Sequence, residues 1–168
     1  MIVFTGKGKG KTTAALGMAL RAAGHGMRVL ILQFIKGTWH YGELEAFKKF
    51  HNVTIKPMGA GFTWKRENMD MDRKLALEGW EQALKAMASD DYDMIVLDEI
   101  HHVLFHGLLP LEQVLDSLKG RPHHLHVVLT GRNAPPALME MADLVTEMAA
   151  IKHPYREQGI KAQKGIEF

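Results

Sequence analysis

The run Thr5-Gly6-Lys7-Gly8-Lys9-Gly10-Lys11-Thr12-Thr13 constrains this chain more than any other feature. A short apolar stretch, Ile2 to Thr5, leads into it, and an Ala- and Leu-rich stretch, Lys11 to Ala23, follows and reads as a helix. A glycine-rich turn between a strand and a helix can fold tightly with its backbone N–H groups pointing inward. The helix N-terminus adds free N–H donors and a partial positive charge. The combination is a seat for the phosphates of a nucleotide, with Gly6, Lys7, Gly8, Lys9, Gly10, Lys11, Thr12 and Thr13 as the binding residues. In that reading Lys11 sets its ammonium against phosphate oxygens and Thr12 offers its hydroxyl to Mg²⁺. Thr5 stands where the usual pattern has its first glycine, and Lys7 and Lys9 are additional cations. The alternative is a glycine-rich turn with solvated lysines, which the spacing and the strand–helix context argue against.

The rest of the chain alternates strand and helix patterns, which predicts an α/β domain with a mainly parallel central sheet. With the phosphate loop in place, the expected architecture is a three-layer, P-loop NTPase-like (RecA-like) fold over residues 1–168 as a single domain. Val29 to Phe34, Met94 to Leu97 and Val127 to Thr130 are continuous apolar runs, as expected of strands covered on both faces. Val53 to Lys56 is a weaker strand, and Leu144 to Met148 reads as a last edge strand. Gly24 and Gly26 stop the first helix. Ala76, Trp80, Ala83, Leu84 and Met87 form a helical stripe. Pro110 starts a helix through Leu118, and a short helix follows Pro136. Phe34 to Gly61 is the least regular long segment, and such segments are often functional.

Ile95-Val96-Leu97-Asp98-Glu99 is an apolar strand ending in two carboxylates. An acid at such a strand end in a phosphate-loop protein holds Mg²⁺, often through water. Asp98 is the metal candidate together with Thr12, with Mn²⁺ as an alternative ion. That leaves Glu99 for another task, which in an ATP hydrolase is activation of water. If neither acid has such a role, they merely end a strand at the surface.

Composition narrows the remaining classes. The 168 residues include no cysteine, which removes disulfide frameworks, zinc ribbons, iron–sulfur sites and a cysteine nucleophile. A net charge of +2 gives little support to nucleic-acid binding. Neither a run long enough to span a membrane nor a signal-peptide core is evident, so the expected setting is the cytoplasm, with no membrane partner.

Beyond the loop, a set of short motifs is distributed over nearly the whole chain. They are Arg21-Ala22-Ala23-Gly24-His25-Gly26, Gln33-Phe34-Ile35-Lys36-Gly37-Thr38-Trp39, Gly42-Glu43, Gly61-Phe62-Thr63-Trp64 and Val96-Leu97-Asp98-Glu99. Thr130-Gly131-Arg132, Val145-Thr146-Glu147, Lys152-His153-Pro154 and Gly159 to Ile166 complete the set. With these motifs the chain resembles the ATP:corrinoid adenosyltransferases of the phosphate-loop type. The resemblance implies transfer of the 5′-deoxyadenosyl group of ATP, the co-substrate, to cobalt(I) of a reduced corrinoid, the substrate, with release of triphosphate. It implies that ATP lies in the loop in the reverse of the usual sense, so that the ribose carbon is exposed and no water is activated. Lys11 and Glu99 then act in catalysis, Glu99 by holding ribose hydroxyls. Phe62 and Trp64 are implied to sit below the corrinoid ring and help displace its lower ligand. A homodimer is implied, and an electron-donating reductase or flavodoxin is the expected partner. Members commonly carry an extension before the first strand. This chain begins almost on that strand, which implies a more open corrinoid site or a truncated chain.

Several residues keep two readings at this level. Arg21 binds phosphate or forms a salt bridge. Arg132 reaches the nucleotide or caps its own loop. Phe34 and Trp39 line a substrate pocket, or Trp39 anchors its loop. His102 and His106 are four residues apart, a metal-binding spacing. The resemblance gives them no metal role, and with His101 they read as solvated or hydrogen-bonded side chains. His123, His124 and His126 read as a polar loop. The competing activities are a phosphate-loop ATPase or kinase using Glu99 as base or Mg²⁺ organiser, and a nucleotide-binding module without chemistry.

Overall fold

The computed structural model describes residues 1–37, 41–61 and 69–168. Six strands form one sheet: β1 (Ile2–Thr5), β2 (Val29–Gln33), β3 (Val53–Pro57), β4 (Met94–Asp98), β5 (His126–Thr130) and β6 (Leu144–Glu147). Their order is β3-β2-β4-β5-β1-β6, and every neighbouring pair runs parallel. Parallel neighbours need crossovers, which the helices supply. These are α1 (Lys11–Gly24), α2 (Gly42–Phe47), α3 (Asp70–Ala88), α4 (Ile100–Phe105), α5 (Leu111–Lys119), α6 (Pro136–Met141) and α7 (Pro154–Gln158).

Strand alternation produces the three layers. Successive side chains point to opposite faces, so Val3, Leu30, Leu32, Ile95, Leu97, Val127 and Leu129 share one face. There they pack with Ala76, Trp80 and Ala83 of α3, Val103 of α4 and Leu118 of α5. Phe4, Val29, Ile31, Met94, Val96 and Val128 point the other way, against Ala15, Ala19 and Ala22 of α1 and Phe47 of α2. The alanine stripe lets α1 approach the sheet closely, which fixes the loop that opens it. Trp80 is 1% exposed and Leu118 fully buried. Each such side chain contributes on the order of 1.5–3 kcal/mol by leaving water.

The expected strands are present with end shifts of at most one residue. The stripe from Ala76 is the buried part of a longer helix, α3, whose first turn carries Asp70 and Asp72 and suits the positive helix start. Gly26 ends α1 at φ 79°. The segment expected to be irregular holds α2 as well as β3. Among the described residues no helix is long and apolar enough to cross a membrane.

In an open parallel sheet, sites form at the carboxyl ends of the strands where the chain changes winding direction. Here β1 leads through α1 past two strands to β2, while β6 returns to the far side of β1. The register then sets Gln33 beside Asp98, and Phe4 beside Thr130. The ends of β1, β2, β4 and β5 therefore meet on one edge.

Candidate active site

The loop from Gly6 to Gly10 leaves the end of β1 and is held by backbone from beyond β6. Met148 N–H donates to the Thr5 carbonyl at 2.9 Å, and Gly8 N–H donates to the Met148 carbonyl at 2.7 Å. Gly6 sits at φ 98°, and a Cβ there would lie 2.5 Å from the Met148 oxygen. At Gly8 a Cβ would lie 2.6 Å from the Ala149 oxygen. Thr5 has a structural reason to replace the usual glycine: its hydroxyl accepts from Ala134 N–H at 3.2 Å, tying the loop after β5 to β1. Gly6→Ala combines an unfavourable φ with this overlap. It is expected to cost about 2 kcal/mol, lowering the melting temperature by roughly 4–8 °C for a chain of this size, with faster amide exchange at Gly8 and Met148.

Gly10, at φ 107°, opens α1 without a side-chain cap, and no acidic residue occupies the first turn. The helix start is therefore rich in unsatisfied N–H groups. Lys11 is 7% exposed. Its ammonium donates to the carbonyls of Gly6 at 2.8 Å and Gly8 at 2.7 Å. Burial pulls its pKa down, aided by Arg132 and opposed by Glu99 and Asp98.

Asp98 is the centre of a buried polar network. Its Oδ1 accepts from the hydroxyls of Thr12 at 2.8 Å and Thr130 at 2.7 Å, and its Oδ2 from Gln33 Nε2 at 3.2 Å. Thr130 Oγ1 in turn accepts from Glu99 N–H at 2.9 Å. A hydroxyl and a carboxylate this close are hard oxygen donors suited to Mg²⁺ or Mn²⁺. The next residue, Glu99, must turn the chain from β4 directly into α4 and does so in the left-handed region, at φ 62°. Its carboxyl pKa is raised by burial and by Asp98, against the pull of Lys11, Arg132 and Lys36.

Two adjoining cavities open over these groups. One, of about 690 Å³, is lined by Gly8 to Thr13, Glu43 and the turn Gly165 to Phe168. The other, of about 450 Å³, is lined by Ile35, Tyr41, Gly61, His102, Phe105 and Asn133, among others. Thr12, Lys36, Glu99, Arg132 and Glu167 line both. The structure thus brings Gly8, Lys9, Gly10, Lys11, Thr12, Thr13, Glu99 and Arg132 to one cleft, with Asp98 beneath it. Lys9 pairs with Glu167 at 2.6 Å. Lys7 is exposed, and neither it nor Gly6 is among the residues lining the cavities. Arg21 is not brought to this cleft. It is exposed in the last turn of α1, and at about 1.5 Å per residue it stands about 15 Å along the helix from Lys11. Phe62, Trp64 and Trp39 lie outside the described residues. Phe34 is a core side chain, 4% exposed.

The full length of the chain, residues 1–168, matches the family model described as ATP:corrinoid adenosyltransferase BtuR/CobO/CobP. A corrinoid adenosyltransferase of Escherichia coli (strain K12) is 44% identical over 168 residues, covering 100% of this chain and 85% of that protein. One from Pseudomonas aeruginosa is 46% identical over 169 residues, covering 100% and 83%. Corrinoid adenosyltransferase CobA of Salmonella typhimurium is 43% identical over 168 residues, covering 100% and 85%. The chain belongs to this family. It is accordingly a transferase with the phosphate-loop fold.

In this adenosyltransferase several residues in or beneath the cleft had no role assigned from sequence: Gln33 and Thr130, which bond Asp98, and Lys36, Glu43 and Glu167, which line the cleft. The first four fall inside the motifs that carry the resemblance, which was the available signal. Glu167 reaches the loop only through tertiary folding. The histidines divide by environment. His101 is fully buried, and its Nδ1 lies 3.1 Å from the Gly131 carbonyl. Burial lowers its pKa to about 4, opposed by that hydrogen bond and reinforced by Lys11. The rings of His102 and His106 are 4.2 Å apart, on the wall of the smaller cavity. Among the described residues no group of three or more His, Cys, Asp or Glu could hold a metal ion.

Proposed function

We infer that this chain, acting as one domain, transfers the 5′-deoxyadenosyl group of ATP to the cobalt(I) of a reduced corrinoid. The cobalt electron pair forms the Co–C bond as the C5′–O bond breaks, and that bond's pair leaves with triphosphate. The observation that carries this reading is the second cavity, joined to the phosphate-loop cleft through Thr12, Lys36, Glu99 and Arg132. The nucleoside of a bound ATP takes part of this room, and alkyl transfer needs a second large substrate to reach the ribose; the full-length family match favours that use of the space.

The residue roles follow from charge and position. Lys11, Lys9 and Arg132 neutralise the departing triphosphate, and the loop N–H groups orient it. Thr12 and Asp98 would hold Mg²⁺, which supplies further charge neutralisation to the phosphates when bound. Glu99 holds the ribose hydroxyls, and its raised pKa suits a hydrogen-bonding carboxyl in a desolvated wall. The same raised pKa favours a second reading, an ATPase or kinase with Glu99 as base. Anaerobic incubation with ATP, Mg²⁺ and cob(I)alamin separates the two. Adenosyl transfer gives a light-sensitive alkylcobalt spectrum and triphosphate; hydrolysis gives orthophosphate without corrinoid.

Phe62 and Trp64 are assigned the space below the corrinoid by resemblance. An apolar pair there excludes the lower base and water, and removal of an axial base eases reduction to cobalt(I). Phe62→Ala with Trp64→Ala is expected to reduce turnover from cob(II)alamin plus reductant by at least about tenfold, while turnover from preformed cob(I)alamin falls far less. Equal losses in both assays would refute the role. Formation of cobalt(I) calls for an electron donor, a reductase or flavodoxin; the homodimer is what the resemblance implies, and the cytoplasm is the setting we assign.

A further inference from the structure

Lys36 and Glu43 belong to motifs to which the reaction above gives no task. Lys36 follows β2 by three residues on a braced backbone. Its carbonyl accepts from Gly59 N–H at 3.0 Å, and the Ile35 carbonyl accepts from Gly61 N–H at 3.0 Å. A Cβ on the neighbouring Gly37 would lie 2.7 Å from the Ala60 carbonyl carbon, so the two segments are closely apposed. The Lys36 ammonium pairs with the Glu43 carboxylate and stands 4.3 Å from the centre of the Tyr41 ring. Both side chains of the pair are only 17% exposed. Gln33 Nε2 lies 3.5 Å from the Glu43 carboxylate and bonds Asp98, so the pair adjoins the Thr12–Asp98 station.

A half-buried ion pair is costly to desolvate and is weak evidence for a stabilising device. This one lines the same cleft as Lys11, on a fixed backbone, with the Tyr41 ring face against the cation. That is the arrangement of a cation kept in position until a stronger anion arrives. We propose that Lys36 is a second triphosphate-binding residue, which exchanges Glu43 for phosphate oxygens when the nucleotide enters and holds them as triphosphate departs. The proposal rests on the nucleotide reading of the cleft. It adds that Glu43 competes with the substrate for the same ammonium.

Calorimetric titration with inorganic tripolyphosphate and Mg²⁺ tests this without the reaction. Lys36→Met is expected to weaken binding about tenfold or more, the size of one lost charge-assisted hydrogen bond, and Lys36→Arg to recover most of it. Glu43→Gln is expected to tighten binding a few-fold by removing the competitor, a change that a purely structural pair would not produce. In turnover, Lys36→Met raises KM for ATP and weakens product inhibition by tripolyphosphate, leaving KM for corrinoid unchanged. Tripolyphosphate binding that is lost in Lys11→Ala but intact in Lys36→Met overturns the proposal, as does a rise confined to KM for corrinoid. Should the protein bind tripolyphosphate through Lys36 yet form no alkylcobalt, the reaction assigned above fails and the role of Lys36 stands.

Discussion

Lys11→Ala is expected to lower the rate of alkylcobalt formation by at least about 10²–10³-fold, the usual loss when one preorganised donor to developing negative charge is removed. The ammonium is mostly buried and donates to the Gly6 and Gly8 carbonyls. Gly8 lines the cleft, so water can replace the lysine at its carbonyl. The melting temperature should therefore move by no more than a few degrees while tripolyphosphate binding collapses. A large activity loss with tripolyphosphate affinity unchanged would show that Lys11 does not grip the leaving group.

The second large effect concerns Asp98. It is fully buried and accepts from Thr12, Thr130 and Gln33. Asp98→Ala leaves two buried donors, Thr130 and Gln33, and the cleft hydroxyl of Thr12 without their acceptor and is expected to cost about 2–4 kcal/mol, lowering the melting temperature by roughly 10 °C. Asp98→Asn keeps the shape and one carbonyl oxygen for the two threonines, so most of the stability should return. The charge does not return, and activity in Asp98→Asn should remain at least about 10²-fold down at every Mg²⁺ concentration. If Asn restored both, Asp98 would be a packing residue and the metal assignment would fall. Differential scanning calorimetry and an Mg²⁺ titration of the rate make the distinction.

The sequence disclosed the centre of the sheet well because the strands there are buried on both faces. Val29 to Gln33, Met94 to Asp98 and Val127 to Thr130 could hardly be read otherwise, since every residue in them is buried. The phosphate loop was equally legible, because its chemistry is local: glycines, lysine and threonine at fixed offsets. What escaped was short or non-local. Helices α2, α4 and α7 have five or six residues, too few for a periodic stripe. The start of α3 carries Asp70, Asp72 and Arg73, which show no apolar pattern. Gln33 and Asp98 are 65 positions apart and meet only through the register of β2 on β4. Glu167 reaches Lys9 from 158 positions away. Arg21 shows the converse: it is near the loop in sequence, yet the pitch of α1 places it about 15 Å along the helix from Lys11.

Glu99 has a consequence for anyone seeking a hardier version of this protein. A non-glycine residue in the left-handed region carries backbone strain on the order of 1 kcal/mol or more, and it persists only because the surroundings impose it. Glycine at this position would relax the turn between β4 and α4, so selection for heat resistance alone would favour it. It would also delete the carboxylate that faces both cavities. Residue 99 is therefore a position where durability and chemistry pull in opposite directions, and a stabilisation campaign should hold it fixed.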